Sequence, residues 1–108
     1  MASDVFSALA NPARRTVLDA LLGGPKAAGE LAGLLSLSRS TASEHLSVLR
    51  EAGLVREKKD GRRRVYQLEA TGLAEANDWL KRYERHWKRQ LDALSELLDE
   101  KSDEENSP

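Results

Sequence analysis

Five side chains that can hydrogen-bond to base edges or phosphates lie within one short stretch of the chain. They are Arg39, Ser40, Thr41, Ser43 and Glu44. Short hydroxyl side chains let a backbone approach a DNA groove closely, while Arg and Glu reach base edges from farther away. Ala42, Leu46 and Leu49 recur at helical spacing on the opposite side of the same stretch. The pattern predicts a helix whose free face suits the major groove.

This helix needs a partner helix and a turn to hold it in place. Apolar residues at i, i+3 and i+4 over 31–35 predict a preceding short helix, and 36–38 interrupt its period. Ser38 is a suitable N-cap for the second helix, and Gly53 is suited to end it. A helical hairpin of this kind also carries a solvated polar face in many small domains. Periodicity by itself therefore leaves groove binding and an ordinary surface both open.

A strongly basic β-hairpin is predicted directly after the two helices. Asp60-Gly61 lies between two strand-like runs, 54–59 and 62–68, which is typical of a type I′ turn. Five cations surround this turn: Lys58, Lys59, Arg62, Arg63 and Arg64. Such a tip repels itself unless an anion lies against it, so contact with phosphates or a minor groove is predicted. Protection of an edge strand by Lys and Arg is the alternative.

Composition limits the class of protein. With 108 residues the chain suits one domain, and its lack of cysteine excludes disulfides, thiolate metal sites and thiol chemistry. The net charge of −1 conceals an uneven distribution, since residues 39–66 hold 8 Lys/Arg against 4 Asp/Glu. Neither a secretion signal nor an apolar run long enough for a membrane span is visible. We therefore expect a cytoplasmic protein without membrane contact.

Two short helices are predicted before the helical hairpin. Val5, Phe6 and Leu9 form an amphipathic pattern, and Asn11-Pro12 supplies an N-cap followed by proline at the first helical position. Arg14 and Arg15 fall in the first turn of the second helix, where the helix dipole disfavours cations. Phosphate contacts, ion pairs or a solvated position would each explain them.

The C-terminal part of the chain predicts one long helix that begins near Thr71. Its apolar residues follow one another at spacings of 4, 3, 4, 4, 3 and 4: Ala76, Leu80, Tyr83, Trp87, Leu91, Leu94 and Leu98. This near-heptad row is longer than so small a domain needs, so we expect it to be shared between two chains. The predicted dimer interface comprises Val5, Phe6, Leu9, Leu80, Tyr83, Trp87, Leu91 and Leu94. We expect a domain over 1–100, with its dimerisation helix at about 71–100, and an acidic disordered tail over 101–108.

The order of these elements is that of a winged helix-turn-helix, a mainly α fold of about five helices with a two-stranded β-hairpin wing. The pattern S-x-S-T-x-S-x-H-L-x-x-L-x-x-A-G-L-V at 38–55, followed by G-R-x-x-x-Y at 61–66, resembles the ArsR/SmtB family of bacterial repressors. The resemblance covers roughly residues 5–95. It implies a homodimer that occupies operator DNA until an effector releases it. By position it implies recognition-helix contacts from Arg39, Ser40, Thr41, Ser43 and Glu44, and wing contacts from Lys59, Arg62, Arg63 and Arg64.

Three departures from the family pattern bear on function. Ser36 occupies a turn position that commonly holds glycine, so a left-handed backbone there would be strained. Glu44 replaces a neutral or basic residue, and can accept from cytosine N4 while repelling phosphates. The Cys-x-Cys pair of metal-sensing members is absent, and Asp78 and His86 on the last helix do not have metal-ligand spacing. We expect no metal and no cofactor, with an unidentified small molecule or protein as a possible effector.

Two functions are compatible with these patterns. The first is a sequence-specific repressor that binds a palindromic operator on double-stranded DNA as a homodimer. The second is a winged-helix protein-interaction module whose last helix takes a partner helix. An enzyme is not expected, because Ser43, Glu44 and His45 are adjacent on one helix and diverge rather than converge on a substrate atom.

Overall fold

The computed structural model describes residues 4–106, with side chains described for 4–101. Five helices and three strands follow one another along these residues. In chain order they are α1 (Val5–Leu9), α2 (Pro12–Leu21), β1 (Lys26–Ala27), α3 (Ala28–Leu35), α4 (Arg39–Glu51), β2 (Val55–Asp60), β3 (Arg63–Leu68) and α5 (Ala70–Asn106). The predicted fold class, a mainly helical winged helix-turn-helix with a hairpin wing, is confirmed.

The sheet contains one strand more than the sequence predicted. Its antiparallel order is β1-β3-β2, and Lys26 and Ala27 of β1 pair with Tyr66 and Val65 of β3. The prediction of a two-stranded sheet was therefore incomplete. A strand of two residues is too short for the alternation of apolar and polar residues to be recognised.

The turn of the hairpin lies one residue later than predicted. Asp60 pairs with Arg63, so the two loop residues are Gly61 and Arg62. Gly61 has a φ of +64°, whereas Arg62 is not among the described residues with positive φ. A type I′ turn needs positive φ at both loop positions, so that prediction was wrong. Glycine at the first loop position alone fits a type II′ turn, which also matches the twist of the strands.

One apolar core joins the helices and the sheet within the unit Met1–Ala76. The side chains that α4 and β2 contribute to it include Leu46, Leu49 and Val55, which are almost fully buried. Burying each such side chain stabilises a fold by about 1.5–3 kcal/mol. Helix α4 is therefore anchored in the core by one side, and its other side faces away from the core.

Local capping explains where the helices begin. The Asn11 side chain accepts hydrogen bonds from the backbone N–H groups of Ala13 at 2.8 Å and Arg14 at 3.2 Å, and Ser38 accepts from Thr41 at 3.2 Å. The predictions of Asn11 and Ser38 as N-caps are confirmed, and each satisfies helix donors that would otherwise lack partners.

The turn between α3 and α4 contains the strained residue that the sequence predicted. Ser36 has φ 53° and ψ 38°, and it is the one described non-glycine residue with a positive φ. Its N–H closes the last turn of α3 on the carbonyls of Ala32 and Gly33. The left-handed conformation costs a residue with a Cβ about 1–2 kcal/mol.

Replacing Ser36 with glycine is expected to raise the free energy of unfolding by about 0.5–1 kcal/mol, because relief of the strain exceeds the larger entropy of glycine in the unfolded chain. Urea denaturation followed by circular dichroism measures this change. Ser36→Ala is the matched control, since it keeps the Cβ and should bring no gain. Equal stabilisation by both variants would contradict the account.

The start of α5 is held by a carboxylate next to the wing. Glu69 accepts from the Ala70 N–H at 3.0 Å, from the Thr71 hydroxyl at 3.1 Å and from Arg56 Nε at 2.9 Å. The bonds from Arg56 and then Thr71 lower the pKa of the Glu69 carboxyl. Because its pKa is lower in the folded protein than in the unfolded chain, the ionised Glu69 carboxylate stabilises the fold at pH values above the ordinary carboxyl pKa. This stabilisation is lost as the pH falls through the pKa that Glu69 has in the folded protein.

The first turn of α5 also approaches the end of α4 very closely. The Gly72 N–H donates to the Gly53 carbonyl at 2.8 Å, and Gly72 is buried. A Cβ added at Gly72 would lie 2.5 Å from the carbonyl oxygen of Ala52. Glycine is thus required here by the space available rather than by an unusual φ.

The remainder of α5 belongs to a second compact unit, Asn77–Pro108, which we describe by itself. Tyr83 has its ring centroid 4.9 Å from that of Trp79 and 5.6 Å from that of Trp87. The backbone is helical to Asn106, beyond the helix end predicted near residue 100, while residues 107 and 108 of the predicted tail lie outside the described residues. None of the described helices combines the length and the apolar character that a membrane span requires.

Candidate nucleic-acid interface

Helix α4 presents the predicted polar residues to solvent. Arg39, Ser40, Ser43 and Glu44 are exposed, and Thr41 is half-buried with its hydroxyl accepting from the Ser38 hydroxyl at 3.0 Å. The opposite side of the helix is fixed in the core by Ala42, Leu46 and Leu49. Because the buried side holds α4 rigidly, its exposed side offers donors and acceptors in a defined arrangement.

The five cations predicted at the tip of the wing, the hairpin formed by β2 and β3, fall into two groups. Arg63 pairs with Glu30 of α3 at 3.2 Å, and Arg64 lies 3.6 Å from Glu57, which also pairs with Arg50. These carboxylates partly neutralise both arginines and tie the wing to the rest of the domain. The structure thus gives two of the predicted DNA-binding residues a second role.

The other three cations at the tip of the wing have no side-chain partner in the described part of the chain. Lys58, Lys59 and Arg62 are exposed, and none of their side chains forms a hydrogen bond or ion pair with a described residue. Uncompensated cations near a hairpin tip attract phosphates over roughly a Debye length. Of the predicted wing residues, Lys59 and Arg62 are therefore best placed to act on an external anion.

Arg14 and Arg15 serve the protein itself. Arg14 donates through Nε to the Ala8 carbonyl at 2.8 Å, and Arg15 donates to the Leu9 carbonyl at 2.8 Å. These carbonyls lie at the C-terminal end of α1, where the helix dipole favours cations. Neither arginine forms an ion pair with a described residue, so the ion-pair interpretation of their positions does not hold. The sequence carried one signal for this arrangement. Two cations lie in the first turn of α2, where the dipole of α2 disfavours them, and the C-terminal end of α1 comes directly before that turn.

Arg14 also reaches helix α4. Its guanidinium lies 3.4 Å from Nδ1 of the half-buried His45. Because arginine can only donate, Nδ1 of His45 is the acceptor side of this contact. This contact links α4 to α2. The sequence around His45 did not indicate its contact with Arg14.

The wing strand β3 contributes a buried phenol beside these charges. Burial raises the pKa of the Tyr66 hydroxyl, and the nearby Glu57 carboxylate adds to the rise, while Arg50 and Arg64 oppose it. Tyr66 therefore stays neutral. Among side chains 4–101, no group of three or more His, Cys, Asp or Glu is arranged to hold a metal ion.

The residues predicted for the dimer interface differ in their exposure. Val5 is 1% exposed and packs in the core of its own unit, so it has no surface left for a second chain. Phe6 is 38% exposed, and Leu9 packs partly against the core. In the second unit, exposed apolar side chains recur along α5: Leu80, Tyr83, Leu91, Leu94, Leu97 and Leu98. Trp87 is half-buried.

Comparison with known proteins agrees with this geometry. Residues 11–57 match the family model described as "Bacterial regulatory protein, arsR family". The HTH-type transcriptional regulator Rv2034 of Mycobacterium tuberculosis (strain ATCC 25618 / H37Rv) is 43% identical over 99 residues, which cover 92% of this chain and 90% of that protein. The transcriptional repressor SdpR of Bacillus subtilis (strain 168) is 33% identical over 78 residues, covering 72% and 87%.

A solved structure shows the same architecture. The solution structure of a homodimeric winged helix-turn-helix DNA-binding domain, Mb0332 from Mycobacterium bovis, superposes with a TM-score of 0.61 at 31% identity over 71% of each chain. Mb0332 is described as a possible ArsR-family transcriptional regulator. Rv2034 and SdpR are named as regulators of transcription, not as enzymes. The chain belongs to the ArsR family of bacterial transcriptional regulators.

Proposed function

We propose that this protein is a homodimeric repressor that binds a palindromic operator. The observation that carries the proposal is the pairing of an exposed, hydroxyl-rich face of α4 with the uncompensated cations Lys59 and Arg62 of the wing. A helix of this kind fits the major groove, and a basic wing fits phosphates or the minor groove beside it. Such a regulator acts on chromosomal DNA and therefore works in the cytoplasm.

The proposed contacts divide by chemistry. Base edges are read by Arg39, Ser40, Thr41, Ser43 and Glu44. Lys59 and Arg62 contact phosphates, whereas Arg63 and Arg64 contribute a weaker field because Glu30 and Glu57 already face them. Direct base contacts carry sequence information, while phosphate contacts fix register and supply most of the salt dependence.

Dimerisation is proposed to rest on α5. The second unit exposes Leu91 and Leu94 at 53% each, in a row with Leu80 and Tyr83. A monomer gains nothing from exposing such a row, whereas a second copy would bury it. Phe6 and Leu9 are included in the proposed interface, with Trp87, and Val5 is left out because it is already buried. The relative Mb0332, whose structure is described as homodimeric, supports dimerisation.

Two measurements on the full chain test the proposal together. Analytical ultracentrifugation is expected to give a dimer at micromolar concentration. Selection from a random duplex pool, followed by footprinting, is expected to return two half-sites about one helical turn, roughly 34 Å, apart. A monomer that selects no sequence would refute the proposal and favour the protein-interaction module.

Neutralising the wing is expected to weaken binding to all duplexes alike. In Lys59→Gln/Arg62→Gln, loss of two phosphate contacts should reduce the slope of log K against log salt concentration by about 2. Fluorescence anisotropy over a series of salt concentrations measures this slope on operator and random duplexes. Lys81→Gln/Lys88→Gln removes the same charge from α5 and should leave the slope unchanged. An equal change in both double variants would show that only net charge matters.

A further inference from the structure

A cleft of about 580 Å³ lies between the first turn of α3, the helix α4 and the wing. Its rim is formed by arginines from two elements, Arg39 of α4 and Arg62, Arg63 and Arg64 at the tip of the wing. Its volume falls within the range of small-molecule sites, which is about 300–1,000 Å³.

The charge of the cleft is strongly positive. Four arginines line it against a single carboxylate, that of Glu30, which pairs with Arg63. Arg39 and Arg62 have no hydrogen-bonding or ion-pair partner among the described side chains. The N-terminal turn of α3 adds to this field, since its N-cap is Ala27, which has no side-chain oxygen to offer the helix donors. Two guanidinium groups are thus free to bind an anion.

The floor of the cleft is apolar. Ala42, Leu46 and Tyr66, all buried in the core, line it below the arginines. A DNA phosphodiester would use the arginines but would gain nothing from such a floor. An organic anion with an apolar body would use both, because burying its carbon atoms adds to the charge-assisted bonds of its acid group.

We propose that this cleft binds a small amphipathic organic anion, an aromatic or branched carboxylate whose acid group pairs with Arg39 and Arg62. Its apolar body lies on Ala42, Leu46 and Tyr66. Binding does not depend on the proposed function, but its consequence does: a ligand that holds Arg39 withdraws this side chain from DNA and releases the operator. The cleft is then the effector site of the regulator.

Direct binding to the full chain is tested with three chemically defined probes. Naphthoate supplies both the charge and the apolar body, naphthamide keeps the body without the charge, and inorganic phosphate keeps the charge without the body. Amide chemical shifts in ¹H–¹⁵N spectra are expected to move at Gly29 and Ala42 with naphthoate, at an affinity at least about tenfold above that of either other probe. Equal binding of phosphate would identify a plain phosphate site, and equal binding of naphthamide a plain apolar one; either result overturns the proposal, as does no binding.

A substitution on α3 locates the site without replacing any residue that is proposed to contact DNA. A Cβ at Gly29 would lie 3.9 Å from a terminal nitrogen of Arg39, which is ordinary contact, and Gly29 is exposed. Gly29→Glu would place a carboxylate beside that guanidinium and is expected to weaken naphthoate binding about tenfold or more. Gly29→Gln, of the same size but uncharged, should weaken it much less. Equal losses in the two variants would show that the side chain blocks the cleft sterically and would count against pairing with Arg39.

A separate experiment measures whether naphthoate competes with DNA for the protein. Naphthoate is expected to release a fluorescent operator duplex at concentrations that saturate the shifts of Gly29 and Ala42. If the shifts occur and the protein binds no duplex, the site stands and the proposed function fails. If the duplex binds and saturating naphthoate does not release it, the effector role is overturned while the repressor proposal stands.

Discussion

Replacing Gly72 with alanine is expected to lower the free energy of unfolding of the winged-helix unit by about 2–3 kcal/mol, because overpacking a close contact costs about that much. The added Cβ would lie 2.5 Å from the Ala52 carbonyl oxygen and 3.0 Å from backbone atoms of Gly53. These neighbours are main chain, so they cannot rotate away as a flexible side chain can. The clash can be relieved only if α5 moves away from the end of α4, which breaks the hydrogen bond from the Gly72 N–H to the Gly53 carbonyl.

Urea denaturation at constant pH measures the effect of Gly72→Ala. The matched control is Gly33→Ala in α3, where an added Cβ meets nothing within 4 Å. Alanine there should stabilise the protein by about 0.5–1 kcal/mol, the difference in helix propensity. The two substitutions are chemically identical, but they should change the free energy of unfolding in opposite directions. A stabilised Gly72→Ala variant would show that the close approach of α5 is not a feature of the folded protein.

Arg39→Ala is expected to cost the largest share of operator affinity of any single substitution on α4. A bidentate arginine–guanine pair contributes about 1–3 kcal/mol of discrimination, which corresponds to roughly 5- to 150-fold in affinity. Arg39 is exposed at the first position of α4 and has no hydrogen-bonding or ion-pair partner among the described residues, so the folded domain does not need it. The loss should therefore fall on sequence-specific binding and leave stability unchanged.

Anisotropy titrations of operator and random duplexes test this prediction. Arg39→Ala should bring the two affinities closer together and relax selection at one base pair of each half-site. The wing variant Lys59→Gln/Arg62→Gln serves as the contrast, since it should lower both affinities and keep their ratio. Equal loss on both duplexes with Arg39→Ala would reassign this side chain to a phosphate contact.

These two predictions depend on different levels of structure. The place of Arg39 at the start of a helix with a buried apolar face follows from residues less than three turns apart. The constraint on Gly72 follows from the approach of two segments about 20 residues apart. Nothing in the sequence around Gly72 signals this constraint, because an added Cβ would collide with atoms outside its own helix.

Local patterns were sufficient for the helices and for the polar face of α4. Asn11 and Ser38 cap α2 and α4 as predicted, and Ser36 adopts the left-handed conformation that its position required. Capping, helical periodicity and turn conformation depend on interactions within a few residues, so they can be read from the chain directly. The hairpin was predicted by the same means, with its turn misplaced by one residue.

Contacts between distant segments could not be deduced in this way. The strand β1 and the ion pair of Arg63 with Glu30 both join elements that are far apart in the sequence. The sequence by itself determined which residues form helices and which of them carry the polar chemistry. Only the tertiary structure decided which cations stay free for an external anion, because that depends on which carboxylates and carbonyls folding brings beside them.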